Sequence, residues 1–254
     1  MAEVKPLKNK VILITGAGQG IGAAVARYIA ARGAIVSLSD IVADRVKAVE
    51  QQLRDRDAEF QGLSQAVDVC DPDSVKKWVE ETKSQFGRID GAVNSAGVLQ
   101  KEVVSLTEIS LDEWKRVIDV NLTGTFNCLK HELVAIADGG SIVNLASVAG
   151  QYGILGLAPY TASKHGVVGL TRVAAADAAA RQIRVNIVCP GVTDTEMGND
   201  FYTKAAGRLQ GKIISLLPGL LRPDDIAASI AFLLGDESRS ITRAVYQIDG
   251  GFAA

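Results

Sequence analysis

The sequence predicts an α/β fold in which one open, doubly wound parallel sheet of about seven strands carries helices on both faces. Two observations predict this fold class. Short apolar runs alternate along the chain with longer segments whose apolar residues recur at the helical period. A glycine-rich segment also follows the first apolar run and opens the first helical segment. Strands that alternate with helices in this way form parallel sheets with crossover helices on both faces.

The expected elements follow one another in a regular order of strand and helix. Apolar runs predict strands over residues 11–14, 34–39, 65–69, 91–93, 141–145, 184–189 and 244–248. Helical periodicity predicts helices over residues 21–32, 42–56, 74–86, 112–136 and 159–180. This order is that of a Rossmann-type sheet, in which ligands bind outside the carboxyl ends of the strands. Functional residues are therefore expected directly after strands.

Length and composition indicate one domain over residues 1–254, because 48% of the residues are hydrophobic and no linker or low-complexity tract divides the chain. The 27 Lys and Arg residues against 29 Asp and Glu give a net charge of −2, which provides no basic footprint for nucleic acid or an anionic membrane. No run approaches the roughly 20 apolar residues of a spanning helix, and no signal-peptide pattern begins the chain. We expect a cytoplasmic protein without nucleic-acid or membrane partners.

The cysteines and histidines indicate neither a metal site nor a disulfide framework. The three cysteines lie far apart beside apolar or amide residues, and the two histidines are also distant from each other. These residues are Cys70, Cys128, Cys189, His131 and His165. We expect free thiols and no bound metal.

The glycine-rich segment covers residues 15–22, with the sequence Thr-Gly-Ala-Gly-Gln-Gly-Ile-Gly. Such a turn lets the backbone approach a pyrophosphate and directs helix N-terminal amides toward it. The alternative is a tight connection without a ligand, but the order of strand, turn and helix favours phosphate binding. The candidate cofactor-binding residues here are Gly16, Gln19, Gly20, Ile21 and Gly22.

The second predicted strand leads into Asp40 and Ile41. A carboxylate at this position accepts hydrogen bonds from an adenosine ribose and repels a 2′-phosphate, and no Arg or Lys follows at once. The sequence therefore favours NAD over NADP, although Asp40 could instead cap the next helix. Asp68 and Val69 end the third predicted strand, and we expect them to face the adenine.

Tyr160 and Lys164 are four residues apart in a segment of helical pattern, so their side chains are expected on one helix face. A free tyrosine has a pKa of about 10, and a neighbouring cation favours the phenolate and lowers that value. Ser147 lies upstream and adds a hydroxyl. These three side chains can transfer a proton, but the pair alone is weak evidence, and its weight depends on the other motifs.

In combination, these motifs resemble the short-chain dehydrogenase/reductase family in its ordinary single-domain form, from residue 10 to residue 251. Residues 94–97, Asn-Ser-Ala-Gly, resemble its Asn-Asn-Ala-Gly segment, and residues 190–193, Pro-Gly-Val-Thr, resemble the turn that contacts the nicotinamide carboxamide. The resemblance implies a catalytic tetrad of Asn121, Ser147, Tyr160 and Lys164. It also implies cofactor contacts from Asp68, Asn94, Ala96, Gly97, Tyr160, Lys164, Pro190, Gly191, Val192, Thr193 and Thr195.

The sequence departs from the family pattern at two positions. Ser95 replaces the second Asn, which leaves Asn94 available to the cofactor but puts the usual hydrogen bonding in the central sheet in doubt. Arg243 stands where Gly is common before the final strand, so that the local turn and any interface there are expected to differ.

The resemblance implies that Tyr160 is the general acid/base for the substrate hydroxyl and that Lys164 lowers its pKa and binds the nicotinamide ribose. Ser147 would donate to the substrate oxygen, and Asn121 would hold a water that connects Lys164 to solvent. Taken singly, Ser147 could only end a strand and Asn121 could only cap a helical turn.

The segment 193–218 lacks a clear pattern and is interpreted as a loop and helix that cover the substrate. Candidate substrate-binding residues are Ser147, Gln151, Tyr152, Ile154, Leu155, Tyr160, Met197, Phe201, Tyr202 and the run 213–217. The apolar ones could equally belong to the core or to an interface.

The sequence thus predicts an NAD-dependent oxidoreductase of a secondary alcohol or ketone with an apolar or cyclic substrate. One alternative is an NADPH-dependent ketone reductase of 3-oxoacyl or natural-product type. Another is a dinucleotide-sensing protein without turnover, although Tyr160 and Lys164 are both present. Apolar helical segments at residues 167–180 and 226–234, together with the resemblance, indicate a homo-oligomer, either a tetramer or a dimer.

Overall fold

The computed structural model describes residues 6–209, 215–217 and 219–252 and contains one seven-stranded sheet in which all paired strands are parallel. The strands are β1 (Val11–Thr15), β2 (Ile35–Asp40), β3 (Gly62–Ala66), β4 (Gly91–Asn94), β5 (Ser141–Leu145), β6 (Arg184–Pro190) and β7 (Val245–Ile248). Their spatial order is β3-β2-β1-β4-β5-β6-β7. The order reverses between β1 and β4, which confirms the predicted doubly wound sheet.

Helices cover both faces of the sheet. They are α1 (Gly20–Ala30), α2 (Ala43–Arg56), α3 (Pro72–Phe86), α4 (Leu111–Ile118), α5 (Gly124–Ala135), α6 (Ala158–Asp177), α7 (Glu196–Leu209) and α8 (Pro223–Leu234). Successive residues of β1 point to opposite faces, so Ile12 and Ile14 pack with α1, α2 and α8, whereas Leu13 packs with α3, α5 and α6. Both faces of the central strand are therefore buried, as its continuous apolar sequence predicts.

The third strand lies earlier in the chain than the sequence predicts. Pairing with β2 joins Val36 to Gly62 and Asp40 to Ala66, so β3 covers Gly62–Ala66 and not residues 65–69. Asp68 and Val69 consequently lie in the loop after the strand. The error arises because β3 is an edge strand whose position depends on its pairing with β2, while the stronger apolar signal belongs to the following loop.

The predicted helix over residues 112–136 is interrupted. α4 ends at Ile118, residues Asp119–Thr123 form a π-helical turn, and α5 begins at Gly124. A π turn inserts one residue into a helix without changing its general apolar pattern, so the sequence does not reveal it. The widened turn carries Asn121, one of the predicted catalytic residues.

Arg243 adopts a left-handed conformation with φ of +62°, which glycine accommodates more readily than a residue with a Cβ atom. Its backbone amide donates to the Val185 carbonyl at 2.8 Å. This bond ties the turn before β7 to β6.

None of the helices within the described ranges is both long and apolar enough to cross a bilayer.

Candidate active site

A cavity of about 510 Å³ lies at the carboxyl ends of the strands, where the strand order reverses. It brings together predicted residues that are distant in the sequence. The predicted residues that line it are Gly16, Gln19, Gly20, Ile21, Gly22, Asp40, Ile41, Asp68, Val69, Ala96, Gly97, Ser147, Ile154, Leu155, Tyr160, Lys164, Pro190, Gly191, Val192, Thr193, Thr195, Met197 and Phe201. Among the other predicted residues that the structure describes, Asn94, Asn121, Gln151, Tyr152, Tyr202, Leu216 and Leu217 do not line it.

The glycine turn brings two backbone segments close together. Gly16 has φ of +63°, and a Cβ atom there would lie 2.8 Å from the Cα atom of Ala96. A Cβ atom on Gly22 would lie 2.2 Å from the Gly16 carbonyl oxygen. Side chains at these positions would therefore displace the backbone that walls the cavity.

Helix α1 begins at this turn without a capping side chain, because the side chain of its N-cap residue Gln19 accepts no bond from the first helical amides. Its first-turn N–H groups remain directed toward the cavity, where they can bind an anion. The narrow glycine turn and the helix N-terminus together fit a pyrophosphate.

Asp40 is fixed in the cavity wall by two backbone amides. Its Oδ2 accepts a hydrogen bond from Gly18 N and its Oδ1 accepts one from Val42 N, each at 3.0 Å. The N-cap residue of α2 is Val42, so Asp40 does not cap that helix. The carboxylate is held by the glycine turn itself and faces the region where an adenosine ribose is expected.

Arg45 is a cavity residue that the sequence analysis missed. Its Nη1 donates to Gln19 Oε1, and its Nη2 lies 3.6 Å from Glu196 Oε2. Arg45 follows Asp40 by five residues, and the first turn of α2 brings it back beside the glycine turn. The residues directly after Asp40 carry no cation, and only the first turn of the helix brings Arg45 back to this position.

The tyrosine, the lysine and the serine meet at the inner end of the cavity. Ser147 follows β5, and Tyr160 and Lys164 occupy successive turns of α6, which begins at Ala158. Ser147 and Tyr160 both line the cavity, and Ser147 Oγ accepts a hydrogen bond from Ala149 N at 3.2 Å. Lys164 Nζ lies 5.7 Å from the centroid of the Tyr160 ring and donates to the Leu145 carbonyl at 2.9 Å.

Burial shifts the pKa values of both ionisable groups. It raises the pKa of Tyr160, and the neighbouring Ser147 hydroxyl acts in the opposite direction. It lowers the pKa of Lys164 to about 8. The ammonium group keeps its charge when it donates to the Leu145 carbonyl, so the lowering of the Tyr160 pKa by Lys164 stays a prediction.

Asn121 supports the cavity from behind and does not face it. Its Oδ1 accepts from Val98 N at 2.8 Å, and its Nδ2 donates to Val98 O and to Ser163 Oγ, both at 3.0 Å. These bonds join the π turn to the loop after β4 and to α6. Both donors of the side-chain amide are used by protein groups, and Oδ1 accepts one hydrogen bond and retains a second acceptor position, so the water expected from the resemblance stays a prediction.

Asn94 also points away from the cavity. Its Nδ2 donates to Glu132 Oε2 and to Asn144 Oδ1, each at 2.8 Å. Asn94 therefore takes part in the polar bonding of the central sheet although Ser95 replaces the usual Asn, and a contact of Asn94 with a cofactor stays a prediction. Asn94 ends β4, and these two bonds hold its side chain in the interior. Ala96 and Gly97, in the loop that follows, line the cavity.

The substrate end of the cavity has an apolar wall. Of the residues named as substrate candidates, Ile154, Leu155, Met197 and Phe201 contribute to it. Residues that the sequence analysis missed also line this end, namely Val98, Leu99, Val148, Leu157 and Phe252. No motif marks these residues in the sequence, since they are apolar side chains in loops whose path depends on tertiary packing.

Gln151 and Tyr152 lie outside this wall. The Tyr152 ring centroid is 6.1 Å from that of Phe252, and its hydroxyl accepts from Gln247 Nε2. Tyr202, Leu216 and Leu217 are exposed and do not line the cavity. Residues 213–214 of the predicted run, like part of the segment 193–218, lie outside the described residues.

Among the residues that the structure describes, no three His, Cys, Asp or Glu side chains lie close enough together to hold a metal ion. Cys128 and Cys189 are buried free thiols, and Cys70 is partly buried.

Comparisons with known proteins agree with this architecture. A family model described as enoyl-(acyl carrier protein) reductase matches residues 16–253. The chain is 40% identical to the short-chain dehydrogenase/reductase aba4 of Botryotinia fuckeliana (strain B05.10), over 98% of this chain and 98% of that protein. It is 38% identical to the cyclohexanol dehydrogenase of Acinetobacter sp. (strain SE19), over 97% of this chain and 96% of that protein.

Solved structures are similar over nearly the whole chain. Levodione reductase has a TM-score of 0.91 at 34% identity, with 96% of this chain and 98% of that chain covered. A short-chain dehydrogenase of Mycobacterium paratuberculosis bound to NAD has a TM-score of 0.90 at 31% identity, with 97% and 98% covered. A blue fluorescent protein from a metagenomic library in complex with NADPH has a TM-score of 0.88 at 34% identity, with 98% and 100% covered.

The chain belongs to the short-chain dehydrogenase/reductase family, as its matched length and its similarity to these relatives show. It is a nicotinamide-dependent oxidoreductase that acts on alcohol or ketone groups.

The close approach at Gly16 leads to a prediction. Gly16→Ala should weaken binding of NADH and NADPH at least about tenfold, because the added Cβ atom displaces the Ala96 backbone in the cavity wall. Fluorescence titration of the reduced dinucleotides measures the effect.

Gly87→Ala is the matched control, because Gly87 also has a positive φ (+79°) but no atom lies within 4 Å of the position that a Cβ atom would occupy there. It should leave dinucleotide affinity unchanged. Equal affinities of the two variants and the parent would show that the close approach at Gly16 does not govern binding.

Proposed function

We propose that this protein is an NAD-dependent dehydrogenase of secondary alcohols, with apolar cyclic alcohols as its substrate class. The observation that carries the proposal is the meeting of Tyr160, Ser147 and Lys164 in one cavity that joins a dinucleotide-type glycine turn to an apolar wall. The cyclohexanol dehydrogenase relative supports it, since its name refers to an alcohol on an apolar ring.

Different residues of the cavity would bind different parts of the cofactor. The turn from Gly16 to Gly22 and the N-terminus of α1 would hold the pyrophosphate, and Asp40 would hold the adenosine ribose. The turn that begins at Pro190 would hold the nicotinamide, which supplies hydride exchange with the substrate carbon when it is bound.

Tyr160 is assigned the proton transfer. Its hydroxyl is the one ionisable hydroxyl group among the cavity residues that line the inner end, and it can take the proton of a substrate hydroxyl or return it to a ketone oxygen. Ser147 is assigned the role of donor to the same oxygen, where it stabilises the negative charge that develops during the transfer.

Lys164 is assigned a supporting role. Its pKa of about 8 leaves it mostly protonated at neutral pH, and its bond to the Leu145 carbonyl holds the ammonium group beneath the Tyr160 ring. A Cβ atom on Gly97 would lie 3.5 Å from Nζ, so the glycine keeps space beside the ammonium on the cavity side. The charge is thus available to a ribose hydroxyl and to a forming phenolate.

The apolar wall favours a hydrophobic ring over a charged substrate. Leu157 and Val148 are buried at the inner end, whereas Leu155 is exposed at the rim. Aliphatic side chains give no partner to a substrate carboxylate or phosphate, so the burial of such a group would be unfavourable.

NAD is the proposed cofactor because the Asp40 carboxylate would repel a 2′-phosphate. A second candidate, an NADPH-dependent ketone reductase, is favoured by Arg45, whose guanidinium lies at the same end of the cavity. We give Asp40 the greater weight because two backbone amides fix its carboxylate, whereas the Arg45 guanidinium is partly exposed and engaged by Gln19 and Glu196.

A homo-oligomer, either a dimer or a tetramer, and a cytoplasmic location are parts of the same proposal. Exposed apolar side chains on two neighbouring helices support the oligomer, namely Phe126 and Val134 on α5 and Val173 on α6. Three cysteines without a disulfide accord with a reducing compartment such as the cytoplasm.

Substrate preference tests the proposed class directly. Purified protein assayed for NADH formation should oxidise cyclohexanol with a kcat/KM at least about tenfold that for 2-hexanol, because the ring fills the apolar wall with less loss of conformational freedom. Lactate should be a poor substrate. Equal rates with all three alcohols, or a preference for lactate, would exclude an apolar cyclic substrate class.

The proton-transfer assignment is tested by Tyr160→Phe. Turnover should fall at least about 100-fold, because the general acid/base is removed, while NADH affinity stays within about a few-fold of the parent. Tyr152→Phe is the matched control, since the Tyr152 ring does not line the cavity, and it should retain parental turnover. If Tyr160→Phe were as active as the parent, another group would have to carry the proton.

Cofactor preference is tested by substitutions at Asp40 and Arg45. The parent should bind NADH at least about tenfold more tightly than NADPH, and Asp40→Asn should reduce or reverse that ratio, because it removes the charge and retains one acceptor oxygen. Adding Arg45→Ala to Asp40→Asn should abolish the gained NADPH affinity. Tighter NADPH binding by the parent would instead support the ketone-reductase candidate.

A further inference from the structure

Behind the cavity, a carboxyl group and an amide are buried side by side. The Glu132 residue on α5 is 1% exposed and Asn94 at the end of β4 is 3% exposed. Asn94 Nδ2 donates to Glu132 Oε2 at 2.8 Å. The other oxygens of the two groups, Glu132 Oε1 and Asn94 Oδ1, are also buried and have no hydrogen-bond partner among the described residues.

The two remaining oxygens are both acceptors, so neither can satisfy the other while Glu132 is a carboxylate. The donors of the Asn94 amide are already used, one by Glu132 Oε2 and the other by Asn144 Oδ1 at 2.8 Å. A single proton on Glu132 Oε1 supplies the missing donor. A carboxylic acid and a primary amide then form two hydrogen bonds in opposite directions, which close a ring.

We propose that Glu132 is held as the neutral acid, with Oε1–H donating to Asn94 Oδ1 while Asn94 Nδ2 donates to Oε2, and that this pair positions the loop after β4 in the cavity. Glu132 touches neither substrate nor cofactor in this assignment. It is a positioning residue that acts through Asn94.

The surroundings of the pair favour the neutral acid. The neighbouring polar groups on β4, β5 and α6 are the uncharged Asn94, Asn144 and Thr171. Cys128, one turn earlier on α5, is the titratable neighbour, and the pKa of its thiol is raised by burial and by Glu132. No cation among the described residues pairs with the carboxyl group.

Helix α3 packs against α5 and contributes no charge to the pair. Its buried residues Val75, Trp78 and Val79 are apolar and belong to the core cluster that contains Cys128. Its charged residues Asp73, Lys76 and Glu80 act instead on His131, which lies one residue before Glu132. Burial raises the pKa of Glu132 to about 7, while the hydrogen bond from Asn94 lowers it.

Hydrogen bonds connect this pair to the residues of the candidate active site. Asn144 Nδ2 donates to Thr171 Oγ1 at 2.9 Å, which reaches α6, the helix that carries Tyr160. Asn144 also directly precedes Leu145, whose carbonyl accepts the bond from Lys164. The acid–amide pair thus joins α5 to the two strands and the helix that position the proton-transfer groups.

The sign of the pH dependence follows from the raised pKa. Between the usual pKa of a glutamate, about 4.3, and the value of about 7 in the folded protein, the folded state binds more protons than the unfolded state. The stabilisation by the neutral acid is therefore complete below the unfolded pKa and is lost as the pH rises to about 7.

Glu132→Gln tests the pair, because a glutamine can donate from Nε2 to Asn94 Oδ1 and accept at Oε1, as the neutral acid does, but does not titrate. Chemical unfolding of the parent and the variant is compared from pH 5 to pH 8. The unfolding equilibrium constant of the parent should rise relative to that of the variant by about two orders of magnitude over this range. The exposed Glu59→Gln is the control and should follow the parent.

Infrared spectroscopy of the folded protein tests the protonation state without relying on a stability difference. At pH 6 the parent and Glu59→Gln should show the C=O stretching band of a protonated carboxylic acid, and Glu132→Gln should lack it. Absence of that band from the parent, or parallel pH dependence of unfolding in the parent and Glu132→Gln, would overturn the acid–amide pair.

The positioning role rests on the proposed function and is measured separately. Above pH 7 the KM for the dinucleotide should rise more steeply with pH in the parent than in Glu132→Gln. Ionisation of Glu132 removes the hydrogen bond from Oε1 to Asn94 Oδ1, beside the loop that lines the cavity. Identical pH profiles of KM would refute the positioning role. The infrared and unfolding measurements need no turnover. They would therefore decide whether the acid–amide pair is present even if the proposed dehydrogenase activity were not found.

Discussion

The pairing of β1 with β4 at the reversal of strand order is the constraint on which the site depends. Thr15 lies beside Asn94 in the register, and its Oγ1 accepts hydrogen bonds from Ser95 N at 3.0 Å and Ala96 N at 3.1 Å. Beyond this point β1 leads into α1, and β4 leads into the loop that lines the cavity. Gly16 allows their backbones to meet, and the crevice between them opens toward the ligand.

A second general feature is that buried polar side chains hold the site together from behind. Asn121 joins the loop after β4 to α6, and Asn94 joins β4 to β5 and α5. Such bonds are strong in a low-dielectric interior, where an unpaired group is costly. The same burial lowers the pKa of Lys164 and raises that of Tyr160, so the positions and the proton affinities of these two side chains have one physical source.

Local patterns in the sequence predict the elements that are governed by local physics. The order of strands and helices and the family motifs are predicted correctly, because apolar periodicity and the glycine turn are short-range signals. The errors occur where pairing or packing decides the outcome. β3 begins at Gly62 because β2 sets its register, and the π turn at Asn121 leaves the apolar pattern unchanged.

The sequence by itself determined the fold class and the family and nominated the side chains for proton transfer, since these follow from residue type and spacing. Only the tertiary structure decided which way those side chains face. It turned Asn94 and Asn121 into the interior, placed Arg45 beside Asp40, and brought Phe252 against the apolar wall. Orientation depends on contacts between residues far apart in the chain, which local sequence patterns do not encode.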